Sequence, residues 1–345
     1  MIAAVDTASD SIARGFASLR ANWPLVPMLV LQQVLVLALL ALGALVPLVA
    51  VGGGALGGDW LPALLAWQPA SLSEAAEDLA AVVAPVAVPL AVALLGTAVV
   101  WTLAILVFCW FQGGSFGVLL AAERQAPPGP VRDWRLFRTW DRALFADWAR
   151  RLMWRYFGFW NLWGLALLGW LLAALLLVWA AQAATARWAE AGLLVVVGAG
   201  SLVLALTFLA LVGWGVIAPP DLARDESTVR GSGRRALAFL ARRLLEVCLV
   251  VGVFVVLSMF VAAGLGGLGT PFLVLAFAGR LGVWIAVQSV LWLLQLAGTV
   301  AVATAMNGAL AALLVGDGRR AAVATREGAA PAARLAAPRL GEARP

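Results

Sequence analysis

Long apolar runs dominate the chain, and its polar residues collect in the gaps between them. A helix crosses the hydrocarbon of a bilayer in about 20 apolar residues. Six runs reach that length, over about 24–51, 83–111, 157–184, 192–217, 244–264 and 281–314. Pro24, Pro47, Pro85 and Pro89 fall near run ends, where a missing amide donor costs a helix least. The pattern predicts an all-α polytopic membrane protein with six transmembrane helices, in one membrane domain over 1–315. Composition removes the soluble alternative. The chain is 63% hydrophobic and 12% charged, with a mean hydropathy of +0.97, against about 25% charged in ordinary globular proteins.

Charge then orients the spans. The sequence contains no lysine, so every basic side chain is arginine. With the N-terminus in the cytoplasm, Arg14 and Arg20 lie inside. So do Arg124, Arg132, Arg135, Arg138, Arg142, Arg150, Arg151 and Arg155 after the second span, and Arg224, Arg230, Arg234, Arg235, Arg242 and Arg243 after the fourth. Those after the sixth span join them, which leaves only Arg187 and Arg280 outside. This is the positive-inside bias of a six-span membrane protein with both termini cytoplasmic. The first outer loop agrees, because Gly52 to Ala81 carries four acids and no arginine. Its SLSEAAEDLA reads as a short helix capped by Ser71 or Ser73. No cleaved signal peptide is expected, since acids precede the first basic residues and the first apolar run is long. The tail over 316–345, rich in Ala, Pro and Arg, reads as disordered, basic and cytoplasmic.

The stretch DWRLFRTWDRALFADWARRLMWRYF, residues 133 to 157, carries the richest chemistry. Wound as one helix, it gathers Trp134, Phe137, Trp140, Leu144, Phe145, Trp148 and Leu152 on one face, with Arg135, Arg138 and Arg142 beside it. An aromatic face against a basic one is the pattern of an amphipathic juxtamembrane helix lying in the interface plane. Asp133 is placed to cap it, and Asp141, within the apolar arc, is expected to turn toward Arg138. Arg135, Arg138, Arg142, Arg150, Arg151 and Arg155 are therefore the candidate contacts to anionic lipid. Trp134, Trp140, Trp148 and Trp154 are the candidate interfacial anchors. A nucleic-acid surface is not expected, because arginines this close to a bilayer meet anionic headgroups first. The bland reading of the same residues is a topological anchor.

Basic amphipathic segments also precede the first span (SIARGFASLRANW) and the fifth (VRGSGRRALAFLARRLLEV). The chain thus parses into three helical-hairpin units, 1–122, 123–224 and 225–315, as any six-span protein with basic inner loops would. Gly52 to Gly57 match GxGxxG but follow no strand, so they read as a flexible turn. Gly113, Gly114, Ser115 and Gly117 have the small-residue spacing of packed membrane helices, and the glycines at 264–269 read likewise. Cys109 and Cys248 read as small buried apolar residues.

With no histidine and no lysine in the sequence, Ser–His and Ser–Lys nucleophile pairs and histidine metal ligands are absent. No carboxylate falls at mid-membrane depth. Glu246, just inside the fifth span, is expected to pair with Arg242 or Arg243. Uncharged polar residues in the spans, among them Gln32, Thr97, Asn161 and Thr207, are expected to bond between helices. No catalytic residue, metal or cofactor is assigned.

Two stretches, FQGGSFGVLLAAERQAPPGPVRDWRLF (111–137) and GVIAPPDLARDESTVRGSGRRALAFLARRLLEV (215–247), carry a resemblance. The chain resembles a broad group of bacterial six-helix integral membrane proteins that includes the membrane domain fused to some glycerophosphodiester phosphodiesterases. The likeness covers residues 10–315. It implies architecture and an inner-membrane location, and no reaction, since the chain has no room for the soluble catalytic barrel. The expected function is a non-enzymatic scaffold or accessory subunit, engaging anionic lipid or a membrane-protein partner at its cytoplasmic face. The alternative is a transporter or lipid-moving permease that uses the uncharged polar residues as a pathway.

Overall fold

Each apolar run folds as helix. The structure, a computed structural model, describes residues 2–52, 87–185, 190–225 and 228–336. Its helices are α1 (Ile2–Ala21), α2 (Leu25–Gly52), α3 (Ala87–Gln125), α4 (Arg142–Thr185), α5 (Glu190–Asp225), α6 (Val229–Gly269), α7 (Leu273–Phe277) and α8 (Leu281–Ala336). Short 3-10 turns occupy Trp134–Phe137 and Thr270–Phe272, and no strand occurs among the described residues. Among the described residues six helices, α2 to α6 and α8, are long and apolar enough to cross a membrane. The architecture is that of a multi-pass helical membrane protein. The outer loop with Ser71 and Ser73, most of the GxGxxG turn, Arg187 and residues 337–345 lie outside the described residues.

Several helices outrun the hydrocarbon. The 44 residues of α4 extend about 66 Å at 1.5 Å each, roughly twice the thickness of the apolar slab. The surplus is the basic amphipathic segment, continuous with its span. In α6 the two parts meet at a kink, where Arg243 leaves helical geometry (φ −125°, ψ 25°) one residue before the apolar run begins. Helix α8 corrects the expected disordered tail. It continues unbroken through 316–336, and Asp317 and Arg319 are tied to other helices, as described below.

The chain divides into two compact units, Met28–Phe111 and the remainder, a division that does not follow the hairpin boundaries read from the sequence. In the first, α2 and α3 pack where Gly43 admits the Trp101 ring, and the Thr97 hydroxyl donates to the Gly43 carbonyl at 2.9 Å. In the second, α4 packs on α5, α5 on α6 and α6 on α8, with α1 against both α8 and α6. Its buried side chains concentrate toward one end, around Phe159, Ile217, Leu222, Phe239, Phe254, Ala309 and Leu313. Farther along, Leu175, Trp179 and Phe260 are about two-thirds exposed or more (66%, 68% and 72%). Water would not tolerate so much open apolar surface, whereas lipid tails solvate it as well as leucine does.

Candidate functional site

The buried charged residues of the larger unit lie at the end where its buried side chains concentrate. Pro127 and Pro128 close α3, because proline restricts the residue before it and offers no amide donor. The loop they begin turns at Gly129, whose φ of +100° suits glycine alone. This turn brings two carbonyls to Arg14 on α1. The Arg14 Nη1 donates to Pro127 O at 3.0 Å and to Gly129 O at 2.9 Å, while its Nε pairs with the Glu123 carboxylate of α3. Its guanidinium lies 5.1 Å from the centre of the Phe137 ring. Arg14 and Glu123 are both buried. A charge removed from water demands this much compensation.

Asn22, one residue beyond α1, fixes the next turn. Its amide donates to Phe137 O at 2.8 Å and its carbonyl accepts from Thr139 N at 3.0 Å. Asp221 of α5 is fully enclosed, 1% exposed, and accepts ion pairs from Arg235 at 2.9 Å and Arg224 at 3.3 Å. Arg224 also donates to Leu314 O at 3.3 Å and receives Arg124 on its own carbonyl. From α8, Arg319 donates to the carbonyls of Glu123, Arg124 and Ala126. Asp317 faces Arg242 and Arg243 across the α6 kink, at 3.5 and 3.4 Å. Many of the arginines counted as topology signals are thus structural, saturating helix-end carbonyls and buried acids.

The stretch 133–157 departs from the single interfacial helix expected of it. Only Trp134–Phe137 forms a 3-10 turn before the chain extends at Arg138, and α4 starts at Arg142. Asp133 does cap, accepting from Arg135 N at 2.9 Å. Asp141 caps too, accepting from Leu144 N at 3.3 Å, rather than turning to Arg138. The apolar face packs on protein: Phe137, Phe145 and Leu152 are buried. Gly113, Gly114 and Gly117 of α3 receive it, since a β-carbon at any of them would press on Leu152, Phe145 or Trp148 respectively. The packing expected of that glycine stripe is present. The glycines at 264, 266 and 267 have nothing near them.

Of the candidate anchors, Trp134, Trp140 and Trp148 are half-buried, and only Trp154 is largely exposed. Among the candidate lipid contacts, Arg135, Arg138, Arg142 and Arg150 point outward. Arg151 pairs with Asp147 at 2.8 Å, and Arg155 is half-buried. Glu246 pairs with Arg243 at 2.8 Å, as expected. Cys109 is buried, but Cys248 is exposed, which corrects its assignment to the interior. The polar residues of the spans meet the expectation in part. Asn161 and Thr207 bond to carbonyls of their own helices, and Thr97 bonds across to α2 as well as within α3. Indole N–H groups supply further cross-links. Trp163 donates to Leu211 O at 3.0 Å and Trp170 to Leu204 O at 2.9 Å, two rungs seven residues apart on both α4 and α5. A carbonyl has two lone pairs and accepts such a bond without losing its helical one.

Sequence reasoning missed Arg14, Asn22, Glu123, Asp221, Asp317 and Arg319 as one assembly. The available signal was a lone acid at the end of an apolar run, beside many arginines. No three His, Cys, Asp or Glu side chains among the described residues are grouped to hold a metal. Comparison with protein-family models, with curated proteins and with solved structures returned no match.

Proposed function

We propose that this chain is a non-enzymatic multi-pass protein of the bacterial inner membrane, a scaffold or accessory subunit. Its arginine-rich end is cytoplasmic and engages anionic lipid, or a membrane-protein partner, through the surface around the start of α4. The observation that carries this reading is a division of labour among the arginines. Arg14, Arg224, Arg235 and Arg243 are spent on acids of the protein itself. Arg135, Arg138 and Arg142 remain exposed beside exposed Leu136. Exposed guanidinium groups at headgroup depth each contribute about 1 kcal/mol of attraction to an anionic leaflet before screening. The absence of histidine and lysine supports the non-enzymatic part, because the usual bases for nucleophile activation are missing.

Extraction of the full chain in mild detergent, with quantification of phosphatidylglycerol and phosphatidylethanolamine retained per protein, tests the reading. Replacing Arg135, Arg138 and Arg142 together with glutamine is expected to lower the relative affinity for the anionic lipid by about tenfold or more at low salt. The loss is expected to shrink at high salt, where a Debye length of about 3 Å at 1 M screens the surface. An unchanged lipid ratio, with no co-purified protein lost, contradicts the proposal.

A further inference from the structure

A pocket of about 260 Å³ opens between α1, the loop after α3 and α8, lined by Asp10, Arg14, Glu123, Gly129, Arg319 and Arg320 among others. It involves none of the exposed arginines around the start of α4. Three guanidinium groups face two carboxylates there. One of those carboxylates, Glu123, is engaged by the Arg14 Nε. The decisive observation is the rest of the Arg14 side chain. It is more than nine-tenths buried, its Nε and Nη1 are occupied, and its Nη2 has neither solvent nor a hydrogen-bond partner among the described residues. A buried charged donor left unpaired is costly, and the Arg14 side chain that carries it is one of three arginine side chains lining this pocket.

We infer that this pocket binds a phosphate group. Guanidinium groups from two helices, Arg14 on α1 with Arg319 and Arg320 on α8, present donors to an oxyanion with several acceptor oxygens. Ala312, Leu313, Val315 and Pro128 line the same pocket, leaving apolar wall for the remainder of a phosphate ester. The group belongs either to a lipid headgroup or to a small soluble phosphate, and the chemistry of recognition is shared.

Titration of the purified full chain in detergent, with inorganic phosphate and separately with dioctanoyl phosphatidic acid, tests the inference at constant ionic strength. Saturable binding of at least one probe is expected. Arg320 and Asp10 are both exposed, so Arg320→Gln and Asp10→Asn are expected to leave thermal stability unchanged. The first removes an attracting charge and is expected to weaken binding by about fivefold or more; the second removes a repelling one and is expected to tighten it by a similar factor. Binding of both probes with equal strength assigns the site to soluble phosphate; binding of the lipid alone assigns it to a headgroup. Failure of both probes to saturate, or affinities that neither substitution moves, overturns the site. Substituting Arg135, Arg138 and Arg142 is expected to leave these affinities intact, so this inference and the proposed function fail separately.

Discussion

Glu123→Leu is expected to destabilise the arginine-rich end severely, and adding Arg14→Met is expected to restore most of what was lost. The Arg14–Glu123 pair is buried on both sides. Deleting one partner strands the other charge away from water, at about 3–5 kcal/mol. Deleting both removes the charges along with their desolvation cost, and apolar groups of similar volume then fill the space, an exchange that is often neutral. The carbonyls of Pro127 and Gly129 lose their shared donor in the double variant, but they lie in a loop where water can replace it. Unfolding midpoints of the wild type, both single variants and the double variant in one detergent form the cycle. A double variant close to wild type is expected; losses that simply add would show that the two charges do not act as a pair.

Gly15→Val is expected to lift α1 off α8. The crossing of these helices is backbone against backbone. A β-carbon on Gly15 would strike the carbonyl of Ala305 and lie 2.9 Å from the backbone nitrogen of Ala309, and Gly308 faces Gly15 from the other side. A helix carbonyl cannot swing aside as a side chain can, so the helices must part, and overpacking costs of about 3 kcal/mol follow. Arg14 shares that helix and would be pulled from Glu123. Trypsin is the direct readout, because cleavage after buried Arg14 requires α1 to detach locally. Rapid cleavage there is expected in Gly15→Val. Gly164→Ala, at a helical glycine with open space around it, is expected to match the wild type. Equal protection of Arg14 in the two variants would contradict the close crossing.

The spans were legible because length and apolarity alone decide them, and the start of the fifth apolar run at Leu244 falls beside the α6 kink for that reason. Asp133 was legible as a cap because capping is local. The buried pair was not: Arg14 and Glu123 are 109 residues apart, and nothing in either local pattern names the other. The face formed by Phe137, Phe145 and Leu152 reads as apolar from its spacing, and it packs on protein, with Phe145 and Leu152 against the glycine stripe of α3, rather than on lipid. Lipid and the glycine stripe of α3 reward the same periodicity, so the pattern carries no information about which of them covers it. The tail misled by composition. Its alanines favour helix as strongly as its lack of bulky residues suggests disorder, and the anchoring of Asp317 and Arg319 by other helices decides for helix at its start.

Topology mapping in living bacteria shows whether six helices cross the membrane with the arginine-rich end in the cytoplasm. Reporter fusions after Arg124, Arg230 and Arg320 are expected to give a cytoplasmic signal, and fusions after Trp60, Arg187 and Arg280 an external one. A cytoplasmic signal at Trp60, or an external one at Arg230, would contradict this topology.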